Sequence, residues 1–241
     1  MDAIQIQFAD QLKRYRIELT ERQLQQYEIY YKELVVWNEK MNLTGITERE
    51  QVYMKHFYDS LSVSFFIPMH EKNSIADIGS GAGFPSIPLK IAFPQLQVTI
   101  VDSLNKRIQF LSYLSSALGL TDVACIHGRA EDIARIPQHR DRYEVVTARA
   151  VAKLAVLNEF CLPFAAVRGC FIAMKGSDVS EELNEAGYSM KELKGKLVHT
   201  HKFELPDEEH STRHVIIIEK TAQTPNKYPR KAGIPLKLPL L

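Results

Sequence analysis

The chain has 241 residues, 45% of them hydrophobic and 24% charged, with a formal net charge of +1. That composition supports a packed core, excludes disorder across the whole chain, and gives no overall electrostatic attraction to a polyanion. No apolar run approaches the roughly 18 residues that a membrane-spanning helix needs.

The opening Met1-Asp2-Ala3-Ile4-Gln5 has no basic stretch ahead of an apolar one, so no signal peptide is read there. Cys125, Cys161 and Cys170 lie in apolar stretches without metal-type spacing. A sparse, odd count of this kind points to a reducing compartment, and a cytoplasmic location is expected.

The first 70 or so residues read as helical. Thr20 with Gln23 forms a capping-box pattern, and Leu24, Tyr27, Tyr31, Leu34 and Met41 then recur on one helical face. Asn42-Leu43-Thr44-Gly45 interrupts this pattern. Thr47 with Glu50 opens a further helix that carries Phe57, Leu61 and Phe65 and ends before Pro68. Trp37, the single tryptophan, is expected in the core of this helical part.

From Ser74 the period changes from helical to extended. Strands are predicted at Ile75–Ile78, Val98–Asp102, Val123–Ile126, Glu144–Thr147 and Cys170–Met174. Helices are predicted over Ser86–Ala92, Ile108–Leu118 and Leu154–Ala166. Such alternation implies a parallel sheet with right-handed crossovers. Lys196–Leu205 and Val215–Ile218 are strands with only a short polar link between them, so they should pair antiparallel. The expected fold is therefore α/β and Rossmann-like, a seven-stranded, mostly parallel sheet with an antiparallel last strand, plus an N-terminal helical extension. The expected divisions are 1–70 for the extension, 71–222 for the sheet domain and 223–241 for a proline-rich, acid-free basic tail.

Asp77-Ile78-Gly79-Ser80-Gly81-Ala82-Gly83-Phe84-Pro85 follows a strand and opens a helix. Glycines at Gly79 and Gly81 let the backbone turn tightly and come close to a ligand. In a dinucleotide fingerprint the third glycine would fall at position 84, which is Phe84. Asp77 beside the loop would repel a pyrophosphate but suits a cationic cofactor. Asp102, about twenty residues past the loop at the next strand end, can accept ribose hydroxyls. The combination favours S-adenosyl-L-methionine over a nicotinamide, the lesser reading of Asp102 by itself being an ordinary helix N-cap.

Other strand ends add candidates. An adenine would lie over Gly128-Arg129-Ala130-Glu131, where Glu131 also reads as a complement to a helix dipole. Phe84 either covers the cofactor or joins the core. Arg149 ends the fourth strand and could hold a cofactor carboxylate or a phosphate, the other reading being a surface ion pair. Lys175 ends the fifth strand. His56 and Asp59 share a helix face, as a nucleic-acid contact or as a structural pair. Lys227, Tyr228, Arg230, Lys231 and Lys237 suit phosphate contact and base stacking, or form a solvated tail.

The motifs occur in a telling order. They run from Met41-Asn42-Leu43-Thr44 and Lys55-His56-Phe57-Tyr58-Asp59-Ser60-Leu61 to the glycine loop, Asp102-Ser103-Leu104-Asn105-Lys106-Arg107 and Gly128-Arg129-Ala130-Glu131. Ala148-Arg149-Ala150-Val151, Lys175-Gly176 and Thr224-Pro225-Asn226-Lys227-Tyr228-Pro229-Arg230-Lys231 follow. In this the chain resembles the RsmG (GidB) family of bacterial methyltransferases, which modify a guanine at N7 in 16S small-subunit ribosomal RNA. The resemblance implies that Gly79, Phe84, Ala130, Glu131 and Arg149 line the S-adenosyl-L-methionine site. It implies that the N-terminal helices and the tail border an RNA cleft, with Lys175, Arg230, Lys231 and His56 toward the RNA. The partner would be small-subunit ribosomal RNA or a ribosomal particle, and the chain a monomer. Ser86 stands where the family usually has glycine, and Ala232 and Ile234 replace residues commonly proline and threonine. Ser86 is harmless if its backbone is helical and strained if φ there is positive.

Guanine N7 has an in-plane lone pair and carries no proton, so its methylation needs alignment and exclusion of water rather than a base. The sequence agrees. It has no Pro-Cys pair and no Asn/Asp-Pro-Pro-aromatic motif, so no dedicated catalytic residue and no metal is expected. A dehydrogenase, a methyltransferase of another RNA position and a non-catalytic ribosome-assembly protein on the same fold are the alternatives.

Overall fold

The computed structural model describes residues 1–149, 152–176 and 178–241, so the Ala150-Val151 half of one strand-end motif lies outside the described residues. The chain begins with α1 (Ala3–Lys13) and α2 (Glu21–Met41). Thr20 and Gln23 cap α2 reciprocally as expected, and Asn42 closes it in a left-handed conformation. Tyr30 rather than Tyr31 is the fully buried tyrosine of its face. A broken helical stretch follows as α3 (Arg49–Val52), a π-helical turn (Tyr53–Tyr58), α4 (Asp59–Leu61) and α5 (Val63–Phe66). Its N-cap is Glu48, not Thr47. The longer Glu48 carboxylate reaches the backbone N–H of both Glu50 and Gln51, at 3.0 and 2.8 Å.

Strands and helices then alternate: β1 (Ser74–Ile78), α6 (Ser86–Ala92), β2 (Gln97–Asp102), α7 (Asn105–Ala117), β3 (Val123–His127), α8 (Ala130–Ile133), β4 (Tyr143–Arg149), α9 (Leu154–Cys161) and β5 (Ala165–Lys175). Helix α9 stops five residues before the expected Ala166, because Pro163 has no N–H to continue it and Ala165 already begins the next strand. Two polar helices not foreseen in the sequence, α10 (Ser180–Glu185) and α11 (Gly187–Glu192), cross over to β6 (Gly195–Glu204). After β7 (Thr212–Lys220) the tail ends in the single turn α12 (Ile234–Lys237).

The sheet order is β3-β2-β1-β4-β5-β7-β6. β7 slots between β5 and β6 and runs antiparallel to both, while β1 through β5 are parallel. The expected seven-stranded, mostly parallel sheet with an antiparallel last strand is therefore found. Strand order reverses between β1 and β4, and a crevice opens beyond the carboxyl ends at such a switch point. Gly79 and Arg149 stand on its two sides.

Alternate residues feed two cores, as a period of two demands. Ile75, Ile100, Ile172 and Ile217 face a layer built from α1 to α7. Ala76, Val101, Phe171 and Ile216 face α8 to α11 and Tyr228 of the tail. The N-terminal helices thus share one apolar core with the sheet. Trp37 packs on Phe110 and Tyr113 of α7, at the seam between the two.

That layer is bolted to the glycine loop. Tyr30 Oη donates to the Ala82 carbonyl at 2.6 Å, and Tyr27 Oη to the Pro88 carbonyl at 2.8 Å. At Gly83 φ is +102°, and a Cβ would lie 2.7 Å from Tyr30 Oη and 2.9 Å from Ile87. Gly83→Ala should therefore destabilise the chain by about 2–4 kcal/mol, from left-handed strain plus overpacking. Urea unfolding followed by far-UV circular dichroism checks this, and an unchanged midpoint would mean the contact is dispensable.

Candidate functional site

The chain leaves β1 through Gly79 and Gly81, both at positive φ (72° and 62°). The Gly79 N–H donates to the Val101 carbonyl at 2.8 Å, and the Gly81 N–H to Asp102 Oδ2 at 3.2 Å. Asp102 is buried, and its Oδ1 accepts the Leu104 N–H at 2.9 Å, with Arg107 Nη1 at 3.4 Å from Oδ2. The N-cap position of α7 is Leu104, so Asp102 is not that helix's cap. It ties the β2 exit to the glycine loop instead. Gly79, Asp102, Ala130 and Glu131 meet around a cavity of about 300 Å³, walled by Ile78, Val101, Phe160 and Leu236. A carboxylate among apolar walls suits a flat heteroaromatic group joined to a polyol.

Beneath the loop, Asp77 is fully buried, and its Oδ2 accepts the Ser86 N–H at 3.1 Å. Burial pushes the Asp77 carboxyl up to about 7, against hydrogen bonds from Ser86 and Thr147 and the charge of Arg149. Ser86 is absent from the positive-φ residues and opens α6, so serine in place of glycine is unstrained there. Asp77 Oδ1, Ser80 Oγ and Ser86 Oγ are buried without a protein partner. Orphaned polar atoms beside a glycine loop are accounted for by a polar ligand or ordered water.

A second cavity, of about 430 Å³, adjoins Arg149, His56, Asp59, Lys175, Arg213 and His214. The π-helical turn and α4 bring His56 and Asp59 to it, and both meet at Arg149 rather than each other. Arg149 Nη1 donates to Asp59 Oδ2 at 3.0 Å, and Nη2 to His56 Nδ1 at 3.2 Å. A guanidinium can only donate, so Nδ1 accepts, and Nε2–H donates to Thr44 Oγ1 at 2.8 Å. The Lys55 carbonyl, 3.1 Å from that Nδ1, is within 3.4 Å of Arg149 Nη1. Burial, with Arg149 close by, pulls the His56 imidazole down to about 3, so it stays neutral.

Phe84 is buried between Tyr30 and His56, with ring centroids 5.4 and 4.6 Å away, and the Arg149 guanidinium lies 4.8 Å from its ring centre. Phe84 is thus part of the core, and it backs the side chains of the cleft. It lines neither cavity, and lies behind His56 and Arg149, which line the second. Lys175 Nζ donates to the Ala152 carbonyl at 2.6 Å and pairs with Glu182 at 2.7 Å. Arg213, whose Nε is 3.4 Å from Asp59, and His214 escaped sequence reasoning. The signal was present, since an antiparallel last strand begins at the edge where the parallel strands end.

The tail is docked rather than solvated. Arg140 donates to the carbonyls of Thr224 at 2.8 Å and Tyr228 at 2.9 Å, and Arg135 donates to that of Pro229. Lys220, fully buried, donates to Asp141 and Thr224, each at 2.6 Å. Arg230 departs from the expected RNA-facing role: its guanidinium is committed to buried Glu159, with Nη2 2.6 Å from Oε2. Lys231 remains exposed. The two cavities therefore collect most of the expected residues, and Gly81, Phe84, Arg230 and Lys231 line neither.

The family model GidB, described as rRNA small subunit methyltransferase G, matches residues 23–215. The chain is 57% identical over 233 residues to the ribosomal RNA small subunit methyltransferase G of Staphylococcus aureus strain Newman, with 97% of each chain covered. The counterpart from strain USA300 gives the same figures. Among solved structures, a precorrin-6y C5,15-methyltransferase from Geobacter metallireducens has a TM-score of 0.51 at 12% identity, covering 68% of this chain and 87% of that one. The YcgJ protein from Bacillus subtilis has 0.52 at 13%, covering 68% and 99%. At such identities the likeness speaks for the fold.

The raised Asp77 carboxyl carries a pH signature. From about pH 4, where an unfolded aspartate ionises, to about pH 7, the native chain keeps a proton that the unfolded chain has lost. Its contribution to stability is complete below that window and is lost as pH rises through it. Asp77→Asn removes this proton linkage, so the variant should gain stability relative to wild type between about pH 4.5 and pH 7.5. Paired urea titrations across that range measure it, and parallel profiles would contradict the assignment.

Proposed function

The chain belongs to the GidB family, rRNA small subunit methyltransferase G, and on that premise we propose that it methylates a guanine of 16S ribosomal RNA at N7, with S-adenosyl-L-methionine as donor. The observation that carries this reading is the pairing of an Asp102-bearing glycine-loop pocket with a cation-lined cleft across one switch point. The cofactor supplies an electrophilic methyl group on a positively charged sulfur. Asp102 accepts the ribose hydroxyls, and the backbone at Ala130 and Glu131 holds the adenine. Gly79 and Gly81 permit the main chain to approach, and the orphaned Asp77, Ser80 and Ser86 atoms fit a ligand with a polar, charged end.

Arg149, backed by the Phe84 ring, stands at the RNA side of the site, and Arg149 and Arg213 draw phosphate toward the cleft, with Lys175 beside them. His56 is a weak base, its imidazole pulled down to about 3 by burial and Arg149, and Asp59 is paired with two guanidiniums, so neither is set up as a general base. N7 methylation asks for none. The chain's contribution is then alignment of the nucleophile with the methyl group and removal of water, a direct displacement without a covalent enzyme intermediate.

In this reading residues 1–70 form the helical layer bordering the RNA cleft, 71–222 the methyltransferase domain and 223–241 the flanking tail. Among the described residues no helix is long and apolar enough to cross a membrane. The enzyme works in the cytoplasm, as a monomer, on small-subunit ribosomal RNA or a ribosomal particle.

Labelled methyl donor incubated with unmodified small subunits should mark one guanine, with mapping locating the methyl at N7. Label on another atom, or none at all, would refute the assignment. Asp102→Ala should weaken cofactor affinity by about 1–3 kcal/mol in calorimetry, and unchanged affinity would remove its role. The tail separates two effects. Lys231→Ala should lower the salt slope of RNA binding by about one counterion with stability intact. Arg230→Ala strands the buried Glu159 carboxylate and should cost about 2–3 kcal/mol in urea unfolding. Equal effects from the two substitutions would speak against this division.

A further inference from the structure

Leu236 is 55% exposed, yet it forms part of the wall of the cavity that holds Asp102 and Ala130. An aliphatic side chain overhanging a pocket needs a support that stops its segment from drifting into solvent. The structure supplies two. Arg230 is held by Glu159 through Nε at 3.0 Å and Nη2 at 2.6 Å, and the Arg230 N–H donates to the same carboxylate at 2.7 Å. Three residues on, the Gly233 N–H donates to Glu131 Oε1 at 2.8 Å. Gly233 takes φ +83°, a left-handed turn that starts α12 and carries Leu236 over the opening.

Both anchoring carboxylates are buried, and each sits at the pocket: Glu131 lines it directly, and Glu159 precedes Phe160, which does. The tail is therefore fastened to the walls of the cavity itself. Ile78, Val101 and Phe160 line the same cavity, so both the fold and the tail contribute apolar surface to it.

We infer that Leu236 is a cofactor-binding residue, closing the outer wall of the pocket against the adenine ring, with Glu131 as the positioning residue that sets it there through Gly233. This rests on the reading above that the cavity takes the adenosyl group. An aromatic heterocycle entering the pocket buries the exposed half of Leu236 and adds a contact that holds α12 down. Lys231 and Lys237, exposed on the same segment, then become less accessible.

The test uses the full chain and S-adenosylhomocysteine. Calorimetry should give Leu236→Ala an affinity about fivefold to tenfold weaker than wild type, the worth of roughly half a leucine side chain's burial. Leu236→Met, which keeps the apolar volume, should stay within about twofold. Because Leu236 is exposed in the unliganded chain, the urea midpoint of Leu236→Ala should match wild type, which separates a binding role from a structural one. S-adenosylhomocysteine should also slow tryptic cleavage after Lys231 and Lys237 in the wild-type chain. Wild-type affinity in Leu236→Ala, with cleavage indifferent to the ligand, would overturn the inference alone. Failure of the wild-type chain to bind S-adenosylhomocysteine would overturn the reading of the pocket as well.

Discussion

A turn containing three glycines at positive φ has no side-chain packing of its own to define it, so its shape must come from what grips it. Here the grip comes from three directions. Tyr30 of the N-terminal layer takes the Ala82 carbonyl from above, Asp77 takes the Ser86 N–H from below, and Asp102 takes the Gly81 N–H from the neighbouring strand. Each partner belongs to a different part of the chain, and the relative placement of those parts is set by the sheet and its two cores. Loosening any of the three would free the loop to sample other turns, and the pocket that begins at Gly79 would lose a defined floor. This is why the helical layer matters to the Gly79 pocket, which it does not line.

The same dependence decides what could be read in advance. Element types followed from period and punctuation, because a run such as Val98–Asp102 between polar turns has few alternatives. The glycine loop and Asp102 were legible because their chemistry is local: both partners are defined by position along β1 and β2. Residues whose roles arise from contacts far along the chain were not legible. Tyr30 reads as one more tyrosine on an amphipathic face, and its hydroxyl acquires meaning only at residue 82. Arg230 looked like a phosphate ligand among other bases, since nothing near it in sequence announces that Glu159 is buried 71 residues earlier and needs a cation. Glu48 displaced Thr47 as a cap for a subtler reason. Several side chains can satisfy the same orphan N–H groups, and the chain's entry angle chooses among them.

Charge is handled similarly throughout. A net charge of +1 leaves recognition of a polyanion to local arrangement. In the cleft, Arg149 and Arg213 share Asp59, while Lys175 is held by Glu182. Each cation is fixed by a carboxylate rather than left to swing in solvent. Such pairing reduces the long-range attraction each cation would exert, but it also lowers the entropy lost when a phosphate docks. The opposite compromise holds for Lys231, which is exposed; in the proposed role it suits encounter with RNA more than alignment.

The neutrality of the centre follows from the same geometry. His56 is kept uncharged because ionising it would place a cation beside Arg149 in a space closed off by Phe84 and Tyr30. Asp77 resists ionising because it is fully buried, with only one of its oxygens partnered inside the fold. A site that performed acid–base chemistry near neutral pH would gain from a group poised to exchange protons with substrate. Here Asp77, whose carboxyl is pushed up to about 7 by burial, lines neither cavity, and the His56 imidazole at the cleft is pulled down to about 3. Neither Asp77 nor His56 is thus offered as a proton acceptor where the nucleophile would stand. That arrangement suits a lone pair already available for attack, and it would be a poor solution for any substrate atom that must first lose a proton.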